Sequence, residues 1–138
     1  MVEIQRRAAH IVSLVLSGRS LDAELRTVAA AQPGLSAPDR AALQDVVYGT
    51  LRFLGQIDAV LDGLLTRALK DEDVRELLRV ALYQLIGTRA APHAVVDHAV
   101  RTCGAMGKPA AKGLVNGVLR NFLRNREAAL KAAVKTEV

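Results

Sequence analysis

Asp71-Glu72-Asp73-Val74-Arg75-Glu76-Leu77-Leu78-Arg79-Val80-Ala81-Leu82-Tyr83-Gln84-Leu85-Ile86-Gly87 opens on three carboxylates and closes on a glycine. Negative charge suits the start of a helix, where unpaired N–H groups carry partial positive charge, and glycine suits its end. Between these signals Val74, Leu77, Leu78, Ala81, Leu82 and Leu85 recur at helical spacing and form a wide apolar face. Such a width is expected of a helix at the centre of a bundle, covered by neighbours on several sides. A chain organised around this segment is all-α.

The flanking sequence supplies the neighbours. Upstream, Ser36 is positioned to cap a long helix with Pro38 and Asp39 in its first turn, running through Leu43, Val46, Val47, Leu51 and Leu54. Gly55 is the expected break before a segment with Ile57, Val60, Leu61, Leu64 and Leu65. A first helix from Glu3 to Ser17 turns Ile4, Ala8, Ile11, Val12 and Val15 inward and stops at Gly18. Ser20 then caps a second helix that closes in the turn Gln32-Pro33-Gly34. Downstream, Pro92 and His93 open a short helix that ends near Gly104 and Gly107. Pro109 suits the first turn of a last strong helix, lined by Leu114, Val115, Val118, Leu119, Phe122 and Leu123. No segment alternates polar and apolar residues with β-branched character, so no strand is predicted. The expected architecture is a single bundle of about seven helices over residues 1–126. Residues 127–138 then form an Ala/Lys-rich extension or the start of a linker.

Composition agrees. The 138 residues are 51% hydrophobic and 24% charged, which is globular rather than disordered. Two Phe, two Tyr and no Trp leave an aliphatic core. The single cysteine, Cys103, excludes an internal disulfide and fits a reducing compartment, so a cytoplasmic location is expected. No apolar run approaches a membrane span. Arg6 and Arg7 precede an apolar stretch, as in a leader peptide, but the apolar positions keep a helical period and His10 and Ser13 interrupt them. The segment reads as a folded helix.

The net charge of +5 is unevenly placed. Residues 1–100 hold 11 basic and 12 acidic side chains, whereas residues 101–138 hold 8 basic and 2 acidic ones. No carboxylate occurs between Arg101 and Arg126. A cationic run of this kind either binds a polyanion, releasing counterions from its phosphates, or is a solvated surface; charge alone weighs the two equally.

Spacing favours the first alternative on the last helix. Arg120 and Arg124 are one turn apart and lie opposite the apolar stripe, with Gly113 and Gly117 on the same exposed side. A strip without side chains lets a phosphate backbone come close, and guanidinium offers forked donors to its oxygens. The competing reading is that the glycines admit another helix and the arginines are merely solvated. Arg6 and Arg7 oppose the macrodipole of the first helix, and a phosphate or simple solubility accounts for them equally well. Structural roles are expected for Tyr48 with Arg52, for Arg79 with Tyr83, since buried hydroxyls need partners, and for Asn116 as a link between helices. His93, His98 and Cys103 recur at intervals of five, which does not gather them on one helical face, so no metal site is expected. Cys103 lacks an activating base, and no glycine-rich loop follows a strand to hold a cofactor. No catalytic residue is assigned, and the chain alone is expected to be inactive as an enzyme.

Four stretches carry a resemblance: Val47-Tyr48-Gly49-Thr50-Leu51-Arg52, Leu77 through Leu85, Pro92-His93-Ala94-Val95-Val96, and Gly113-Leu114-Val115-Asn116-Gly117-Val118-Leu119-Arg120-Asn121-Phe122-Leu123-Arg124. In this order they resemble the NusB-like helical domain at the front of Sun/Fmu-type ribosomal-RNA small-subunit cytosine-C5 methyltransferases. The resemblance implies a domain that docks ribosomal RNA, joined to a separate domain that binds S-adenosylmethionine and attacks cytosine through cysteine. None of the motifs of that second domain occurs in the chain, no cofactor is expected within it, and Cys103 does not inherit the role. Carried over by position, the implied RNA contacts are Arg6, Arg7, Lys112, Arg120 and Arg124. The alternative within the same resemblance is a NusB-type transcription antitermination module, whose partners would be RNA and a ribosomal protein. A purely structural domain packed on its catalytic partner is a third possibility. No membrane partner is expected.

Overall fold

The computed structural model describes residues 1–31 and 35–136. The described residues form eight α-helices: α1 (Val2–Leu16), α2 (Leu21–Ala31), α3 (Ala37–Arg52), α4 (Leu54–Leu64), α5 (Glu72–Gly87), α6 (Pro92–Ala105), α7 (Lys112–Arg124) and α8 (Arg126–Thr136). A short 3-10 turn, Pro109–Ala111, leads into α7, and no strand occurs among the described residues. The expected closing turn of α2, Gln32-Pro33-Gly34, lies outside the described residues.

Helix α5 is the hub, packing against α1, α3, α4, α6 and α7. Its start is fixed as its sequence implies. The Asp71 carboxylate accepts from the Val74 N–H at 3.2 Å, and Glu72 and Asp73 occupy the first turn. Leu77, Leu78, Val80, Ala81 and Leu82 are fully enclosed. Around them stand Ile11, Val47, Ile57, Leu61, Val96, Leu119 and Phe122, one or two from each surrounding helix. Truncating any of these leucines to alanine is worth about 2–5 kcal/mol, because the lost transfer energy is joined by an unfilled cavity.

Helix ends follow local chemistry. Ser36 Oγ accepts from the Asp39 N–H at 3.2 Å to start α3, and Ser20 Oγ accepts from the Ala23 N–H at 3.3 Å to start α2. Gly18 and Gly107 take φ of +107° and +78° after α1 and α6, a region that only glycine enters without steric cost. The break between α3 and α4 is one position where the sequence misplaces the signal. The chain bends at Phe53 (φ −105°, ψ 23°), not at Gly55, which is already inside α4. Pro109 likewise opens the 3-10 turn, and α7 itself begins at Lys112.

Polar links fix how the helices sit. Gln5 on α1, fully buried, donates to Gln84 Oε1 on α5 at 3.0 Å and to the Val95 carbonyl on α6 at 3.3 Å. Thr102 Oγ1 lies 2.7 Å from both Gln5 Oε1 and the His98 carbonyl, so its single proton serves one of them at a time. Arg79 on α5 grips Asp58 on α4 in a two-pronged pair at 2.7 and 3.0 Å, and also donates to Glu76. Its partner is therefore not Tyr83, one turn further on. Residues 126–136 form α8, which lies along α4 with Ala133 buried.

Candidate nucleic-acid interface

The five cations singled out from the sequence fall into two sets. Arg6 and Arg7 stand on α1, while Lys112, Arg120 and Arg124 stand on α7. Helix α6 packs against both α1 and α7, which share no comparable interface with each other. The two sets therefore stand on separate helices, each packed against α6.

The α1 set is largely neutralised where it stands. Arg6 donates to both Glu3 carboxylate oxygens at 3.1 and 3.0 Å, and Arg7 Nε donates to the same carboxylate at 3.2 Å. The Arg6 guanidinium holds the Glu3 carboxyl below its ordinary range, as expected when hydrogen bonding and charge favour the ionised form. Arg7 is mostly enclosed, and its Nη1 is buried without a hydrogen-bond partner. Both arginines and His10 line a hollow of about 420 Å³ shared with Asp73 and Glu76 of α5. Glu76 is buried, and burial raises its carboxyl against the opposing pull of Arg79.

On α7 the sequence pattern holds with corrections. Val115, Val118, Leu119 and Phe122 are buried, but Leu114 is 40% exposed and Leu123 only half-buried, so the true apolar stripe is narrower. Arg120 Nε donates to Asn116 Oδ1 at 2.8 Å, and its Nη2 stands 3.6 Å from Asp97 of α6. Asn116 thus acts within its own helix, steadying Arg120, rather than bridging to a neighbour. Arg124, one turn on, is exposed and has no hydrogen bond or ion pair among the described residues. Lys112 is exposed at the start of α7, with the end of its side chain, Cε and Nζ, over Gly104. Arg126 belongs to the same basic run but is committed elsewhere. It donates to the Leu85 carbonyl at 2.8 Å, and its guanidinium lies 5.6 Å from the centre of the Phe122 ring.

Gly113 and Gly117 are exposed, and a methyl group at either would meet nothing within 4 Å. They form the floor of a groove of about 460 Å³ whose opposite wall is the connection between α4 and α5, residues 64–69. Arg67 in that connection is exposed, and the sequence alone did not point to it. The available signal was the pair Arg67 and Lys70 in a stretch without helical period.

The residues expected to be structural divide as well. Tyr83 is buried, donates to Asp45 and stacks on Phe53 with centroids 6.3 Å apart and planes 12° apart. Tyr48 is 47% exposed rather than buried, and Arg52 lies over the Phe53 ring at 5.5 Å instead of pairing with it. Cys103 is buried, its thiol donating to the Lys108 carbonyl at 3.0 Å and pushed above its ordinary value by burial. Among the described residues no group of three or more His, Cys, Asp or Glu side chains is placed to hold a metal ion. No helix among them is long and apolar enough to cross a membrane.

Residues 3–124 match the model of the NusB family. The chain belongs to the NusB family. Its all-α bundle is the fold of that family. It is 42% identical over 134 residues to ribosomal RNA small subunit methyltransferase B of Sodalis glossinidius (95% of this chain, 30% of the relative). It is 40% identical over 133 residues to the proteins of the same name from Yersinia pseudotuberculosis and Yersinia pestis, covering 94% of this chain and 30% of each. This NusB-family chain thus spans about 30% of the length of those relatives. Asp45, Tyr83, Arg79 and the Gly113–Gly117 face all lie within the stretch matched to the family.

Proposed function

We propose that this chain is an RNA-binding module that docks small-subunit ribosomal RNA for cytosine-C5 methylation by a separate S-adenosylmethionine-dependent domain. The observation that carries the reading is the outer face of α7. There Arg124 is free of partners among the described residues, Gly113 and Gly117 leave the backbone open, and no carboxylate occurs from Arg101 to Arg126. Phosphate contacts from such a face give affinity with a steep salt dependence and little base reading. The names of the relatives, ribosomal RNA small subunit methyltransferase B, support the class of RNA and methylation as the reaction, while the cytosine-C5 position and S-adenosylmethionine follow from the family resemblance of the sequence. The reading places the chemistry and the cofactor in a part of the protein corresponding to the remaining 70% or so of those relatives. It implies a cytoplasmic setting, where ribosomal RNA is made.

The contacts are ranked by what already holds each side chain. Arg124 and Lys112 come first, Arg120 next because Asn116 and Asp97 compete for it, and Arg6 and Arg7 last because Glu3 occupies them. The test is a salt series of binding to a small-subunit ribosomal RNA fragment and to a scrambled RNA of equal length. Binding in the micromolar range or tighter, with a steep slope and preference for the ribosomal fragment, is expected. Absence of binding to either RNA at low salt overturns the reading.

A second reading has its own observation. Phe53 and Tyr48 are 42% and 47% exposed beside Arg52, and aromatic residues with arginine are the side chains that dominate protein interfaces. This corner favours a protein partner, such as the ribosomal protein of a NusB-type antitermination complex. Copurification of a ribosomal protein that is lost in Phe53→Ser would support it.

A further inference from the structure

We propose that the groove between residues 64–69 and α7 receives one unstacked nucleotide of a single-stranded RNA, with Arg67 closing on its phosphate from the wall facing Gly117. The inference rests on the RNA-binding reading above and goes beyond it by naming the form of the RNA and a further binding residue.

Three features select this occupant. The first is shape. Gly113 and Gly117 leave a floor of bare helix backbone, open for 4 Å where a side chain would start. A floor recessed by missing side chains admits a thin, flat group but not the broad surface of a duplex, and unstacked bases are what proteins reach in single-stranded RNA. The second is the lining. Leu65 and Leu69 face Leu114 and Val118 across the groove, an apolar bed for the faces of a base and a ribose. At one end stands Asn121, whose Oδ1 accepts from Asn125 at 2.7 Å, while its Nδ2 makes no hydrogen bond among the described residues and is available to a base edge. The third is charge. Among the described residues Arg67 is the only charged side chain lining the groove, and no carboxylate lines it. Asp62, in the adjoining hollow, is bonded to Arg75 at 3.0 Å, and Asp71 is bonded to Lys108 at 2.9 Å. Arg67 therefore has no ion-pair partner among the described residues. Arg124 follows Gly117 two turns along the same face of α7, so the groove leads from one unpaired guanidinium toward another. A purely apolar peptide would fill the bed but leave Arg67 and the Asn121 amide unused.

The experiment compares binding of a single-stranded RNA of about ten nucleotides with binding of the same strand annealed to its complement. Gly117→Leu fills the groove without changing charge, and the open space around Gly117 leaves the fold undisturbed; Gly113→Leu serves the same purpose if Gly117→Leu loses helicity. Blocking the groove is expected to weaken single-strand binding about tenfold, the scale of one base's stacking, with an unchanged salt slope and unchanged duplex binding. Arg67→Glu is expected to weaken single-strand binding and to lower the salt slope by about 0.7 for each phosphate no longer neutralised. Wild-type single-strand affinity in the groove-filling variants, together with weakened binding in Arg124→Glu, overturns the groove while leaving the RNA-binding reading intact. Equal weakening on single strand and duplex also overturns it. If the wild-type chain binds neither RNA, both inferences fall together.

Discussion

The Tyr83 hydroxyl on α5 donates to Asp45 Oδ1 on α3 at 3.2 Å, and the ring below it fills the space left by the missing side chains of Gly49 and Gly87. A Cβ at Gly49 would run into the Tyr83 ring, which is 6% exposed and stacked on Phe53, so it has little room to yield. Gly49→Ala is therefore expected to destabilise the domain by about 1–3 kcal/mol, the cost of overpacking a close contact. Gly117→Ala, on the open face of α7, is expected to stabilise by about 0.5–1 kcal/mol, since alanine is the better helix former and meets nothing there. Urea denaturation of the two variants reads opposite signs for the same chemical change; equal effects would refute the packing assigned to Tyr83.

Arg79 carries a second fold-level prediction. Its guanidinium is mostly enclosed and serves both Glu76, which is buried, and Asp58 of the neighbouring helix. Arg79→Met leaves buried Glu76 without its cation and Asp58 with only the more distant Arg75, 3.8 Å away, a change of about 3 kcal/mol in stability. Adding Glu76→Gln and Asp58→Asn removes the stranded charges and should recover most of the deficit. If the triple variant is no better than Arg79→Met by chemical denaturation, packing rather than charge explains the site.

How much of this was legible before the structure depended on whether the determining signal was local. The α5 segment carries its caps, its charges and its apolar face within one stretch of seventeen residues, from Asp71 to Gly87, and the helix forms over that stretch. Ser36 and Gly18 are equally local. The bend at Phe53 was not legible: its ring stacks on Tyr83 thirty residues away, a contact no local signal announces, whereas Gly55 offered only a propensity. Exposure of Leu114 and Tyr48 likewise depends on which neighbours cover each face. At the candidate site, the glycines and arginines of α7 could be placed on one face by helical period alone. That Glu3 occupies Arg6 and Arg7 could have been read, since it stands three and four residues before them on one helix. That Asp97 stands near Arg120, and that Arg67 lines the same groove as the glycine strip, depends on which elements pack together and is not encoded by period.

Asp71 gives a pH-dependent prediction. Lys108, by its hydrogen bond, and then the Val74 N–H hold this carboxyl below its ordinary value of 3.8. The folded state thus prefers the ionised form more strongly than the unfolded chain does. The stabilisation is fully present above the unfolded value and is lost as pH falls through the lowered folded value. Asp71→Asn keeps a side-chain oxygen to cap α5 but removes the charge. Thermal denaturation should show wild type ahead of Asp71→Asn at about pH 6, with the gap closing by about pH 2. A gap that is independent of pH would mean that capping alone, and not the charge facing Lys108, accounts for the residue.

The two arginines of α7 should differ in how they serve RNA. Arg120 is held by Asn116 at 2.8 Å and stands near Asp97, so a phosphate must compete for it, whereas Arg124 has nothing to give up among the described residues. Arg124→Glu is expected to weaken RNA binding by about tenfold or more and to reduce the salt slope by about 0.7–0.9 for each phosphate it no longer neutralises. Arg120→Glu should have the smaller effect, because it removes a cation already partly neutralised. Asp97→Asn, which frees Arg120, is expected to strengthen binding modestly at low salt. Fluorescence anisotropy across a salt series, with helicity checked by circular dichroism, measures all three. An Arg120→Glu effect exceeding that of Arg124→Glu would show that the Asn116–Arg120 pair presents the guanidinium to RNA rather than withholding it, and the order of contacts along α7 would have to be reversed.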